Sequence, residues 1–162
     1  MNQGRSGIGP SAITELGYNY RMNELQAILI RVQLNHLSNT IALRTKLVER
    51  YHNNLNDVEK VQLLDIPKNT EPAFYSLSVL VNSSIRDSIR SKLLKEGIET
   101  SILYHPVHLQ PVYKKRFGYK PGDLPLTEEL SSRVITLPLH LHLDFDDIDL
   151  VCDKLAKTIQ QI

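Results

Sequence analysis

The sequence contains one cysteine, Cys152. A lone cysteine excludes an intrachain disulfide and any zinc site built on paired cysteines. Long apolar runs are also missing. Stretches such as Ala27-Ile28-Leu29-Ile30 fall far short of the ~20 residues a membrane-spanning helix requires. No charge of one sign dominates. The 19 basic and 18 acidic residues leave a formal net charge of +1, so electrostatics point to neither nucleic acid nor an anionic membrane surface. The N-terminus carries Gly4, Gly7, Gly9 and Pro10 without an apolar core, which is not the pattern of a signal peptide. These absences make a cytoplasmic protein the default expectation. A chain of 162 residues, 41% hydrophobic, can bury one real core.

The richest stretch is Gly17-Tyr18-Asn19-Tyr20-Arg21-Met22-Asn23-Glu24-Leu25-Gln26-Ala27. Asn19 and Arg21 bring an amide and a guanidinium, two good partners for a phosphate or carboxylate. Asn23 reads as a helix N-cap, and Gln26 three residues on completes a capping-box pattern. Such a turn presents polar groups at a helix N-terminus, where anions are favoured. The same side chains also suit a plainer role, stitching the turn together. The upstream spacing Gly4-x-x-Gly7-x-Gly9 lacks the preceding strand and following Gly-Lys-Ser/Thr of a phosphate loop, and Met1–Leu16 reads as loop.

From Asn23 to about Leu55 the apolar pattern is helical, with Leu25, Ile28, Leu29, Val32 and Leu37 followed by Leu43, Leu47, Val48 and Tyr51. Ser38-Asn39-Thr40 interrupts it with weak helix formers, so two consecutive helices or one bent helix are expected. Val61–Leu64 reads as a short strand. A small, mostly antiparallel sheet is expected from strands near Phe74–Val81, Ile98–Tyr104 and Val134–Leu137. Helices at Ile85–Glu96, stopped by Gly97, and at Asp144–Ile159 should back it. Thr127 reads as the N-cap of a helix over Glu128–Arg133. The fold class is therefore α/β.

Two histidine pairs, His105 with His108 and His140 with His142, have spacings compatible with zinc, but no cysteine joins them. Tyr104 and His108 straddle Pro106, and a phenol and an imidazole on a rigid turn can bind a polar substrate or shuttle a proton; on spacing alone, ordinary packing with satisfied hydrogen bonds is the favoured explanation. The acidic run Asp144, Asp146, Asp147 and Asp149 sits where a helix N-terminus favours carboxylates, and needs no calcium. No Ser-His-Asp order, paired-carboxylate motif or nucleophile elbow is visible.

Taken in order, the motifs resemble a known family. Gly17-Tyr18-Asn19-Tyr20-Arg21-Met22, Glu24-Leu25-Gln26-Ala27 and Gln33-Leu34 resemble the signature of the DegT/StrS nucleotide-sugar aminotransferases. The likeness continues through Arg44 and Tyr51, Glu96-Gly97-Ile98-Glu99-Thr100 and Tyr104-His105-Pro106-Val107-His108-Leu109-Gln110-Pro111-Val112-Tyr113. Gly122-Asp123-Leu124-Pro125 with Glu128, then Thr136-Leu137-Pro138-Leu139, complete it. Departures are visible as well. Many members carry His-Tyr where this chain has Leu103-Tyr104, and a histidine where Tyr75 stands. His140 and His142 occupy a stretch that often contains proline and glycine.

The resemblance implies a fold type I enzyme using pyridoxal phosphate, transferring an amino group, usually from glutamate, to a keto sugar attached to a nucleotide. In that family a Schiff-base lysine lies in a large domain upstream of the Gly-Tyr-Asn-Tyr-Arg turn. None of the 16 residues before Gly17 is lysine. The implied organisation is a remnant of the large domain over 1–22, an interdomain helix or helix pair over 23–56, and the small C-terminal domain over 57–162. Asn19 is then expected at the cofactor phosphate of a neighbouring subunit, and Arg21, Tyr104 and His108 on the substrate side. No catalytic residue and no metal ligand is assigned to the chain, which should not transaminate alone. Its implied partners are nucleotide-sugar and amino donor in the complete enzyme, and a second copy or a large domain. A noncatalytic assembly module that pairs with a separately encoded large domain is the alternative.

Overall fold

The structure, a computed structural model, describes residues 16–162. The loop expected over Met1–Leu16 therefore lies, but for Leu16, outside the described residues. The chain divides into two compact units, Met1–Ser38 and Asn39–Ile162.

In the first unit the expected capping box is present. The Asn23 side-chain oxygen accepts from the Gln26 backbone N–H at 2.8 Å, and the Gln26 side-chain oxygen accepts from the Asn23 N–H at 3.1 Å. Two donors that a helix start leaves unpaired are thereby satisfied. The helix they open, α1, runs Glu24–Leu55 without a break. Ser38-Asn39-Thr40 does not split it: weak helix propensity costs only tenths of a kcal/mol per residue, roughly, too little to interrupt a long hydrogen-bonded ladder. Leu25, Ile28, Leu29, Val32 and Leu37 all remain exposed.

The second unit is an α/β sandwich of one small sheet and its helices. Strands β1 (Gln62–Leu63), β2 (Leu77–Leu80) and β3 (Val134–Leu137) form an antiparallel sheet in that order. Leu63 pairs with Val79, and Val79 with Ile135 on its other side. Across β2 and β3 the hydroxyls of half-buried Ser78 and buried Thr136 meet at 2.8 Å, so the two polar groups satisfy each other. Helix α2 (Ser83–Lys95) starts at Asn82, whose side chain accepts from the Ser84 N–H. It ends in a Schellman turn: Gly97 takes φ +81°, and the Ile98 N–H reaches back to the Leu93 carbonyl at 2.9 Å. Helices α3 (Pro111–Phe117), α4 (Pro125–Arg133) and α5 (Phe145–Gln160) follow.

Three expectations are corrected. The segment Ile98–Tyr104 is not a strand. Only Ser101 bridges to Thr136, with reciprocal backbone bonds of 3.0 and 2.8 Å, before the chain turns away. The third strand is instead the Gln62–Leu63 part of Val61–Leu64. The β2 strand is also shorter than Phe74–Val81, because Phe74 has φ +44° and cannot enter a ladder. Finally, Thr127 is not an N-cap. Helix α4 begins three residues earlier than expected, with Leu124 at the cap and Pro125 in the first turn, where a missing N–H costs nothing.

The core joins α1, the sheet, α2 and α5. Leu47, Val48, Tyr51 and Leu55 from α1 meet Ile89 and Leu93 from α2 and Ile148, Val151, Leu155 and Ile159 from α5 in one buried cluster with Val79 and Ile135. Helix α5 is fixed at its start by a reciprocal capping box of Asp144 and Asp147, bonded at 3.0 and 3.1 Å. Its Asp149 accepts from Arg50 through two nitrogens, at 2.7 and 2.5 Å, and from Asn54 at 2.6 Å. Tyr51 is fully buried, and its hydroxyl donates to the Pro138 carbonyl at 2.9 Å. Burial raises its phenol well above the ordinary range, so it is neutral at physiological pH.

Replacing Tyr51 by Phe should cost about 1–2 kcal/mol in chemical denaturation, because the Pro138 carbonyl loses its donor inside the core. The Arg50 guanidinium, and after it the Asn54 amide, hold the Asp149 carboxyl below its usual value. A carboxyl depressed in the fold stabilises above its unfolded pKa, and that contribution disappears as pH falls through the folded pKa. The difference in denaturation midpoint between the parent and Asp149→Asn should hold steady above about pH 5 and shrink toward zero on acidification below about pH 4.

Candidate functional site

The four residues expected to serve a ligand fall into two groups, one in each unit. In the first unit, Asn19 and Arg21 are exposed on the turn that leads into α1. The side chains of Tyr18 and Tyr20 stack on the same turn, ring centroids 5.1 Å apart and nearly parallel. Asn19, Arg21, Met22, Gln26 and Leu29 line an open concavity of about 600 Å³. Among the described residues Arg21 has no ion-pair partner, and the capping box uses Asn23 and Gln26 rather than Asn19. An amide and an unpaired guanidinium at the positive end of a 32-residue helix form a donor set that suits a phosphate. The residues present therefore fit the phosphate end of pyridoxal phosphate, and no lysine stands among them.

In the second unit the site forms where the chain leaves its bridge to β3 and makes a long excursion before α4. The Leu103–Tyr104 peptide bond is cis. The Tyr104 ring is exposed, and its hydroxyl lies 3.1 Å from that of Tyr75. This hydrogen bond raises the Tyr104 phenol above its ordinary value. The Tyr104 carbonyl accepts from the Ser131 hydroxyl at 2.9 Å, which ties the start of the excursion to α4. Beside it, Leu64, Leu80, Leu103, Leu130 and Val134 line a mostly apolar hollow of about 330 Å³. The site thus offers an apolar floor with the Tyr104 phenol at its edge, bonded in turn to Tyr75.

His108, in the 3₁₀ turn Val107–Leu109, is placed differently. It is only 5% exposed, packs edge-on against Tyr119, and donates from Nε2 to Glu128 at 3.0 Å. Glu128 also accepts from the backbone N–H of Gly122 at 2.9 Å and of Leu124 at 3.3 Å. The Gly122 N–H, followed by His108, holds the Glu128 carboxyl below its usual value, so it is a carboxylate at neutral pH. The structure therefore separates Tyr104, open to solvent, from His108, enclosed and engaged.

The zinc spacings do not converge. His140 and His142 are exposed with ring centroids 6.2 Å apart, and among the described residues no group of three or more histidine, cysteine or acidic side chains is arranged to hold a metal. A second hollow, of about 460 Å³, is bordered by Lys60, Asn82, Glu129 and Arg133, but the Arg133 guanidinium is consumed by Val81, Glu129 and Gln62. Two site features were not anticipated: the Tyr75–Tyr104 pair and the multiple use of Glu128. The sequence signal for the second was present, as an acid shortly after a Gly-x-x-Pro turn at a helix start.

No helix among the described residues is long and apolar enough to cross a membrane. The family model for the DegT/DnrJ/EryC1/StrS aminotransferases matches residues 2–156. The chain is 35% identical over 134 residues to the erythromycin biosynthesis sensory transduction protein EryC1 of Saccharopolyspora erythraea, covering 82% of this chain and 36% of that protein. It is 31% identical over 149 residues to the dTDP-3-amino-3,4,6-trideoxy-alpha-D-glucose transaminase of Streptomyces venezuelae, covering 90% of this chain and 38% of that one. Among solved structures, S. venezuelae DesV superimposes with a TM-score of 0.86 at 28% identity, over 100% of this chain and 43% of that chain. The aminotransferase TlmJ from Streptoalloteichus hindustanus gives 0.82 at 26%, over 93% and 40%. The chain thus spans well under half the length of these relatives, and the part it matches is the part with the long helix and the small sheet. With its motif series, its small antiparallel sheet and these likenesses taken together, the chain belongs to the DegT/DnrJ/EryC1/StrS aminotransferase family.

Proposed function

We propose that this chain forms the interdomain helix and small domain of a cytoplasmic, pyridoxal-phosphate-dependent nucleotide-sugar aminotransferase. It spans 1–22 as the edge of the large domain, 23–56 as the connecting helix and 57–162 as the small domain. The observation that carries the reading is the turn at Asn19 and Arg21: two exposed side chains of a kind suited to an anion at the start of a capped helix, with no internal partner among the described residues. When bound in the complete enzyme, pyridoxal phosphate supplies an electron sink for moving the amino group from donor to keto sugar. Asn19 holds its phosphate. Arg21 binds an anionic group of the substrate. Tyr104 serves the sugar or nucleotide with its hydroxyl, kept in place by Tyr75. His108 belongs to the same substrate side. No lysine of this chain holds the cofactor, so the chain alone binds and orients and does not transaminate.

The exposed apolar side chains Leu25, Ile28, Leu29 and Val32 support assembly with a second copy or with a large domain, since contiguous exposed apolar area of this kind usually marks an interface. They equally suit the alternative, a noncatalytic module that recruits a separate large domain.

A complete enzyme, made by fusing the upstream portion of a relative to this chain, tests the reading. Transfer of an amino group from glutamate to a keto nucleotide-sugar is expected. Asn19→Ala should weaken retention of pyridoxal phosphate by roughly tenfold or more, the cost of a hydrogen bond to a charged group. The same substitution in the chain by itself should move stability by no more than about 0.5 kcal/mol, as at an exposed site. Cofactor retention unchanged by Asn19→Ala, or a large loss of stability in the chain alone, would overturn the assignment and leave the turn a structural stitch. Transamination by the chain alone would overturn its dependence on a partner.

A further inference from the structure

Helix α4 makes two polar attachments to the excursion between Tyr104 and Leu124, and they leave it three residues apart. Residues at i and i+3 share one face of a helix, so Glu128 and Ser131 act from the same side. Ser131 is buried and donates to the Tyr104 carbonyl, fixing the start of the excursion. Glu128 fixes the rest. One carboxylate collects the His108 imidazole from the 3₁₀ turn and the Gly122 and Leu124 amides from the closing turn, all within 3.3 Å. Gly122 can turn its N–H toward the carboxylate because it takes φ +95°, a conformation that strains other residues. A neutral acceptor on a short side chain could not serve three donors from two separate segments. Few other polar ties hold the excursion: Tyr113, Phe117 and Tyr119 of its middle stack loosely on one another, and residues 110–127 are all exposed.

We propose that Glu128 is the positioning residue of the Tyr104 side, and that His108 acts through Glu128 rather than on a ligand. In this arrangement α4 sets the path of the Tyr104–Leu124 segment with one carboxylate and one hydroxyl. His108 supplies an Nε2–H donor to that carboxylate, and its enclosure by Glu128 and Tyr119 keeps it from solvent. Tyr104 alone of the two faces outward. The functional consequence rests on the reading that Tyr104 meets the substrate.

The test is nuclear magnetic resonance of the whole chain, isotopically labelled, with Glu128→Ala, Glu128→Gln and His108→Gln. In the parent, the His108 ring should keep its Nε2–H on Glu128, and the Gly122 and Leu124 amides should be protected from exchange. Glu128→Ala should accelerate exchange at Gly122 and Leu124 more than tenfold, free the His108 ring to mix its tautomers, and shift the Tyr104 ring signals. The amides of β2 and β3 should keep their protection. Glu128→Gln, which retains one carbonyl acceptor, should restore part of the protection, and His108→Gln should leave the two backbone amides largely protected. Unchanged exchange and an unchanged imidazole in Glu128→Ala would overturn the proposal. So would acceleration spread equally over β2 and β3, in Glu128→Ala or in the milder Glu128→Gln, because that is general loss of stability. These readouts need no ligand. In the fused enzyme, a Tyr104→Phe substitution that left KM for the nucleotide-sugar unchanged would instead remove the substrate reading, with the Glu128 result standing.

Discussion

A phenol buried in an apolar core must find an acceptor, and the second unit is arranged around that requirement at Tyr51. Its ring fills the centre of the cluster between α1, α5 and the sheet, and its hydroxyl ends on the carbonyl that follows β3. This single bond sets the depth of the α1 C-terminal turns against the end of the strand. Leu47, Val48 and Leu55 are then held on the core side by helical spacing alone. The Arg50–Asp149 pair ties α5 to α1 on the partly exposed flank. Partly exposed ion pairs contribute only modest net stability, so the pair adds a small energetic gain to that link.

The sheet is small for the number of helices it carries. Three strands of two, four and four residues leave few ladder hydrogen bonds, and every residue of β3 is buried. Its stability therefore depends on side chains that seal both faces. Ser78 and Thr136 show the difficulty: two hydroxyls occur inside the ladder, and they are tolerated because they face each other. The sheet edge is also served economically. Ser101 contributes one reciprocal bridge and then departs, so the segment that follows is free to build the Tyr104 side.

Sequence patterns revealed the elements whose signal is local. The Asn23–Gln26 and Asp144 caps, the apolar stripe of α5, the Gly97 stop of α2 and the Val134–Leu137 strand could each be read within one window of residues. What escaped depends on partners far along the chain. Ile98–Tyr104 has strand-like composition, yet a strand needs a neighbour over its whole length, and β3 offers one only at Thr136. The start of α4 was misplaced because Thr127 attracts attention as a capping residue, whereas Pro125 two residues earlier already has helical φ. Asn19, Arg21, Tyr104 and His108 came from the motif series. Residue type alone could not distinguish an exposed phenol from an enclosed imidazole, and Glu128 gained its meaning only once Gly122 and His108 were seen beside it.

Cys152 carries a practical consequence. It is buried on α5 within the core, and burial pushes its thiol up to about 11, so at neutral pH it is almost wholly the unreactive form. Being the sole cysteine, it is a silent internal clock: a thiol-reactive dye can label the chain only in the moments when α5 lifts from the core. The labelling rate therefore follows the open population when closing is fast and the opening rate when the dye reacts faster than the core recloses. A second cysteine placed on any exposed surface would react orders of magnitude sooner, giving one chain with a fast address for probes and a slow record of its own unfolding.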